Sequence, residues 1–190
     1  MAGLYVAAAS AAPVPYATPT THPRLICNQG DLHDARKRLD GTIEARALQQ
    51  LLKKCDGYLD PRNRLYVDWE KREKSYWESR AGATWLTKCF EELAWAGILT
   101  DEARYIEGSK NIVLTIIRKR IVDSIGGTNY GNPYGGWLSQ PLDAGHSSRS
   151  LAVFYDLLYN HLSEGERSEV RSYMTGTYLS YFCDCCASIS

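Results

Sequence analysis

The sequence predicts an all-α fold, antiparallel helical hairpins stacked into an array or toroid. Three observations point there. Apolar residues recur every three or four positions in stretch after stretch. Helix-start and helix-stop residues separate most of those stretches by short turns. No run alternates apolar and polar residues long enough to make a strand. Residue identities show no fixed-period solenoid repeat.

Residues 1–21 read as a flexible leader or a weak signal segment. The stretch is rich in Ala but lacks a basic start, and Pro13, Pro15 and Pro19 follow. As a signal segment it would send the protein to the periplasm or out of the cell. The folded part opens at Thr21-His22-Pro23-Arg24-Leu25. Asn28-Gln29-Gly30-Asp31 starts a helix on which Leu32, Ala35 and Leu39 share a face, and Gly41 stops it. Thr42 caps a second helix. Its stripe is Ile43, Ala47 and Leu51 with Leu48, Leu52 and Cys55, and Gly57 and Pro61 end it.

Residues 60–80 are charged, with Tyr66, Trp69, Tyr76 and Trp77 interleaved, and are expected to form a loop or a short exposed helix. Trp85, Leu86, Cys89, Phe90, Leu93 and Gly97 then give a wide apolar face. Thr100-Asp101-Glu102 is expected to cap the partner helix, which Tyr105, Ile112, Val113, Ile116, Ile117 and Ile121 carry on to Gly126-Gly127. Gly126, Gly127, Gly131, Pro133, Gly135 and Gly136 make a long loop reaching Pro141, and such loops are often functional. Leu151, Phe154, Tyr155, Leu158 and Leu162 mark the next helix. Ser163 and Glu166 form a capping box for the last, which runs through Val170, Tyr173, Met174 and Leu179. Residues 22–182 are the helical domain, and 183–190 a Cys-rich tail.

The 190 residues carry 22 Lys+Arg against 22 Asp+Glu, a net charge of +0, and are 44% hydrophobic. That length suits one domain or part of a larger one. The apolar content excludes disorder along the whole chain. Balanced charge argues against a nucleic-acid partner gathered by bulk field. No apolar run reaches the roughly 18 residues of a membrane span, so no membrane partner is expected. The six cysteines include no CxxC pair, which removes zinc-ribbon and thioredoxin readings. Cys55 and Cys89 fall in helical patterns as small buried hydrophobes. Cys183, Cys185 and Cys186 could ligate a soft metal, but no His or further Cys pair closes the site. A frayed or oxidised tail is the simpler reading. No metal and no cofactor are expected.

Four segments together resemble the heparinase II/III-like polysaccharide lyases. They are His22-Pro23-Arg24-Leu25; the helix Asp31 to Leu39; the hairpin from Leu93 through Thr100-Asp101-Glu102 to Tyr105; and Ser147 to Tyr155 running on through Asp156-Leu157-Leu158-Tyr159-Asn160-His161-Leu162-Ser163. Dermatan sulfate epimerases share the last pattern. The likeness spans roughly residues 22–175. It implies an incomplete (α/α) toroid whose second half, with a β-sandwich domain, lies outside this chain. It also implies an acidic, uronate-containing polysaccharide as partner. The chemistry it implies is β-elimination after removal of the C5 proton, which needs donors preorganised around the developing carboxylate charge. The family's base and Tyr acid belong to segments beyond the likeness, so no catalytic residue is assigned and the chain alone is expected to be inactive. The rival expectation is a non-catalytic helical module that binds glycan or another protein.

Six residues are candidates for substrate binding. Gln140 lies where the family draws a residue near the substrate carboxylate, and an amide can donate to that charge; otherwise it is a polar loop residue. His146 faces the cleft, or caps its helix or bonds a loop carbonyl. Arg149 grips an acidic sugar in a forked geometry, or bridges Asp143 or Asp156 on its own helix. Trp137 and Tyr130, like Tyr134, stack on sugar faces or pin the loop to the core. Asn129 meets a sugar hydroxyl or simply makes a turn. His22 is expected to anchor the start of the folded chain. Arg118-Lys119-Arg120 is a solvated helix end or a glycan contact.

Overall fold

The computed structural model describes residues 21–39, 41–71, 76, 80–121 and 141–187. Every regular element among them is helical. The helices are α1 (Gln29–Arg38), α2 (Thr42–Leu59), α3 (Arg80–Thr100), α4 (Ala103–Arg118), α5 (Pro141–Leu158), α6 (Glu164–Tyr173) and α7 (Ser180–Ala187). A 3-10 turn (Tyr159–His161) follows α5, and a π-helical segment (Met174–Leu179) joins α6 to α7.

Helix α3 is the hub, packing on α1, α2, α4 and α5. Its residues explain why. Leu86, Cys89, Phe90, Leu93, Ala94 and Ala96 are all fully buried and cover nearly half of the helix circumference. Gly97 lets α4 come close, since a Cβ there would stand 2.5 Å from Ile106 Cγ1 and 3.1 Å from its backbone nitrogen. Across the same seam the buried Ser109 hydroxyl donates to the Phe90 carbonyl at 2.7 Å.

The α3–α4 connection differs from the predicted cap. Thr100 belongs to α3, donating its hydroxyl to the Ala96 carbonyl at 2.7 Å and accepting from the Glu102 amide at 3.3 Å. Asp101 takes the left-handed conformation at φ 57°, and Glu102 caps α4 without a side-chain bond. Arg36 of α1 reaches over to this turn. Its Nε donates to the Ile98 carbonyl at 3.0 Å, and its guanidinium meets Asp101 at 2.7 Å.

The strap before α1 is pinned to the far end of α5. His22 Nδ1 lies 2.6 Å from Asp156 Oδ1, and both residues are buried. The other Asp156 oxygen accepts from the Arg24 and Leu25 amides at 2.7 and 2.8 Å. The His22 ring stacks on Tyr159, centroids 3.8 Å apart. Gln29 donates to the His22 carbonyl at 2.6 Å. His22–Pro23 is a cis peptide. The expected anchor is thus a network of at least five groups.

Several boundaries move. The α1 box is Asn28 with Asp31, and the α6 box is Ser163 with Glu166. Gly57 sits inside α2, which runs on to Leu59. Residues 60–71 form the expected loop, but it is not simply exposed: Val67 is buried and Trp69 packs on the core, as does Tyr76 beyond it, while Trp77 lies outside the described residues. Helix α4 ends at Arg118, short of Gly126, although Ile121 beyond it is buried. Helix α5 starts at Pro141, where the loop is expected to end, and Pro suits a first helical position, where no amide is needed. The Cys-rich tail is not frayed at its start, since α7 extends through it to Ala187. On the last hairpin Tyr173 and Tyr178 are buried, and Met174 and Phe182 half-buried. The basic run is engaged as well. Arg118 forks onto Glu169 of α6 at 3.0 and 2.9 Å, and Lys119 lies over the Trp69 ring.

Candidate functional site

A cavity of about 490 Å³ opens between α3 and the first turns of α5. Ala83, Thr84, Thr87, Lys88, Glu91, Glu92 and Trp95 line it from α3; His146, Ser147 and Ser150 line it from α5. Its size is that of a small-molecule or oligosaccharide site. The two walls arise from simple periodicity. Thr84, Lys88, Glu91 and Trp95 are spaced 4, 3 and 4 residues apart, which keeps them on one face of α3 while the apolar residues between them fill the core. His146 and Ser150 are likewise one turn apart on α5.

The polar groups are tied in a definite pattern. Arg149 grips Glu91 with both terminal nitrogens, at 3.2 and 3.3 Å. Ser150 donates to the same carboxylate at 2.7 Å. Arg149 therefore bridges to the neighbouring helix and not to Asp156, which is committed to the strap; the Asp143 side chain lies outside what the structure describes. Glu92 accepts from Tyr58 of α2 at 2.6 Å and from Lys54 at 3.4 Å. Ser147 and Thr87 return their hydroxyls to their own helices, to Ala144 and Ala83.

Behind Glu92 lies a protonated interior. Burial first, and then the bond to Glu92, hold the Tyr58 hydroxyl far above its usual range. Burial, with Glu92 and Asp56 adding to it, pushes the Cys55 thiol up to about 12. Burial and then Glu92 push Cys89 higher still. These thiols are core packing, not nucleophiles. Among the described residues no group of three His, Cys, Asp or Glu could hold a metal ion, and no helix is long and apolar enough to cross a membrane.

Of the six sequence candidates, His146 and Arg149 come together beside this cavity. His146 is exposed on its rim, inside α5, and its side chain forms no hydrogen bond among the described residues, so it does not cap the helix; the loop whose carbonyl it was expected to meet lies outside those residues. Gln140, Trp137, Asn129 and Tyr130 lie outside the described residues. Sequence reasoning missed Lys88, Glu91, Trp95 and Ser150. Their signal was present as a polar stripe on an otherwise apolar helix, but it was overshadowed by the wide apolar face that Trp85 and Phe90 announce.

No family model, curated protein or solved structure matches the chain.

Proposed function

We propose that the chain forms one wall of a carbohydrate-binding cleft, as part of the toroid of a heparinase II/III-like uronate polysaccharide lyase or epimerase. One observation carries the reading: the α3–α5 cavity sets an indole ring, several hydroxyls, an ammonium and an imidazole around one ligand-sized space. An aromatic face covers the C–H side of a pyranose, while hydroxyls and charged groups exchange hydrogen bonds with its rim. The likeness of residues 93–105 and 147–163 to that family supports the same placement, because Trp95 of the first segment and Ser147 and Ser150 of the second line the cavity. On this reading the partner is an acidic polysaccharide outside the cell or in a periplasm. The cavity residues bind and orient it, and none of them is assigned the proton transfer.

The test is calorimetric titration of the chain with alginate, heparin and chondroitin sulfate oligosaccharides, beside an ultraviolet assay for unsaturated uronate. At least one glycan is expected to bind, with no unsaturated product, and Trp95→Ala is expected to weaken that binding at least tenfold. A chain that binds none of the three, or whose binding ignores Trp95, overturns the proposal.

A further inference from the structure

The charged groups around the cavity are unequal. Glu91 is held by Arg149 and Ser150, and Glu92 by Lys54 and Tyr58. Each carboxylate therefore already faces a cation and a hydroxyl. Arg149, the fork expected to take an acidic sugar, is committed to Glu91, and withdrawing it would strip a half-buried carboxylate of its partner. Lys88 is different. It lines the same wall, it is exposed, and its side chain forms no ion pair or hydrogen bond among the described residues. Trp95 stands seven residues further along α3, about 10.5 Å of helix axis away. That separation exceeds one pyranose ring.

We propose that Lys88 is the specificity-determining residue of this cavity, its ammonium receiving a uronate carboxylate while Trp95 stacks on a neighbouring sugar unit. The proposal rests on the carbohydrate reading above and adds to it the residue that reads the ligand's charge and a minimum ligand length, two units. A lysine suits this task. It is a compact charge with three donors on a flexible stem, able to follow a carboxylate that shifts with ring pucker. Because the site is open to water, the attraction is modest and weakens as salt rises.

The experiment uses the full chain, with tetramannuronate, the same tetramer after carboxyl reduction to a neutral sugar, and monomeric mannuronate, all measured by calorimetry at low salt. The acidic tetramer is expected to bind about fivefold tighter than the neutral one. Lys88→Gln is expected to erase that difference without changing the neutral tetramer's affinity, and Lys88→Arg to keep it. Trp95→Ala is expected to weaken both tetramers alike, and the monomer to bind far more weakly than either. Near-ultraviolet circular dichroism checks that each variant is folded. If Lys88→Gln leaves the preference for the acidic tetramer intact, or the two tetramers bind the wild-type chain equally, the role of Lys88 is overturned while the carbohydrate reading stands. If neither tetramer nor any other glycan binds, the carbohydrate reading itself falls, and the role of Lys88 falls with it.

Discussion

Two histidines on or against the same helix mark two different regions of the molecule. At the C-terminal end of α5, His22 is buried, stacked on Tyr159 and hydrogen-bonded to Asp156. Near the N-terminal end, His146 is exposed on the rim of a cavity, its side chain without a hydrogen bond among the described residues. The first region commits its buried carboxylate and the Nδ1 of its imidazole to each other, and that carboxylate to the strap. The second leaves some of its polar groups open to a visitor. Residue type does not separate the two roles, because both regions use histidine, acid and aromatic rings. Satisfaction of hydrogen-bonding capacity does.

That contrast breaks most visibly at Asp156. Replacing it with alanine removes the acceptor from His22 and from the Arg24 and Leu25 amides at once. Stability measured by urea unfolding is expected to fall by about 3–5 kcal/mol; a loss below about 1 kcal/mol would mean that the strap is not held this way. The interior behind the cavity gives the next effect. Below the ordinary thiol value of 9.0, Cys55 is protonated in folded and unfolded chains alike, so this group adds no pH dependence. Above it the unfolded chain ionises first, while the fold keeps the proton up to about 12. The folded state then binds more protons, so stability falls as pH rises through that window, at up to about 1.4 kcal/mol per pH unit per buried thiol. Urea unfolding at about pH 8 and about pH 10, with Cys55→Ala as reference, checks this.

A smaller effect tests whether the locked end is local. Ser163→Ala removes the side-chain acceptor for the Glu166 amide, now 3.2 Å away, at the start of α6. It is expected to cost about 1 kcal/mol, with the His22–Asp156 pair unaffected in histidine side-chain NMR. The smallest effect is expected at the open region: His146→Ala should change stability by less than about 0.5 kcal/mol. A large loss there would erase the distinction between the two histidines.

Helices were legible because their signals are local. Asn28 with Asp31 and Ser163 with Glu166 are capping boxes read straight from spacing, and the α3 core face follows from Leu86, Phe90 and Leu93. Thr100 misled because a threonine before two acids looks like a cap, whereas its hydroxyl instead turns back on Ala96 once Asp101 reverses the chain. Of the cavity, His146 and Arg149 were visible in the sequence. What Arg149 binds was not, because Glu91 is 58 residues away and only packing of α5 on α3 brings them together. The same holds for His22 and Asp156, 134 residues apart. Side chains that join distant segments leave no periodic trace, and no single window of sequence contains both partners.

The segments behind the family likeness also prove to be largely those that fasten the fold. His22 and Asp156 clasp one another, and Arg36 holds the turn at Asp101. One practical result concerns labelling. Because Asp156 grips the backbone at Arg24 and Leu25, a fluorophore coupled at Thr21 has a fixed origin, ten residues along α5 from His146, about 15 Å of axis. It would report on an occupied cavity through energy transfer without standing in the ligand's way.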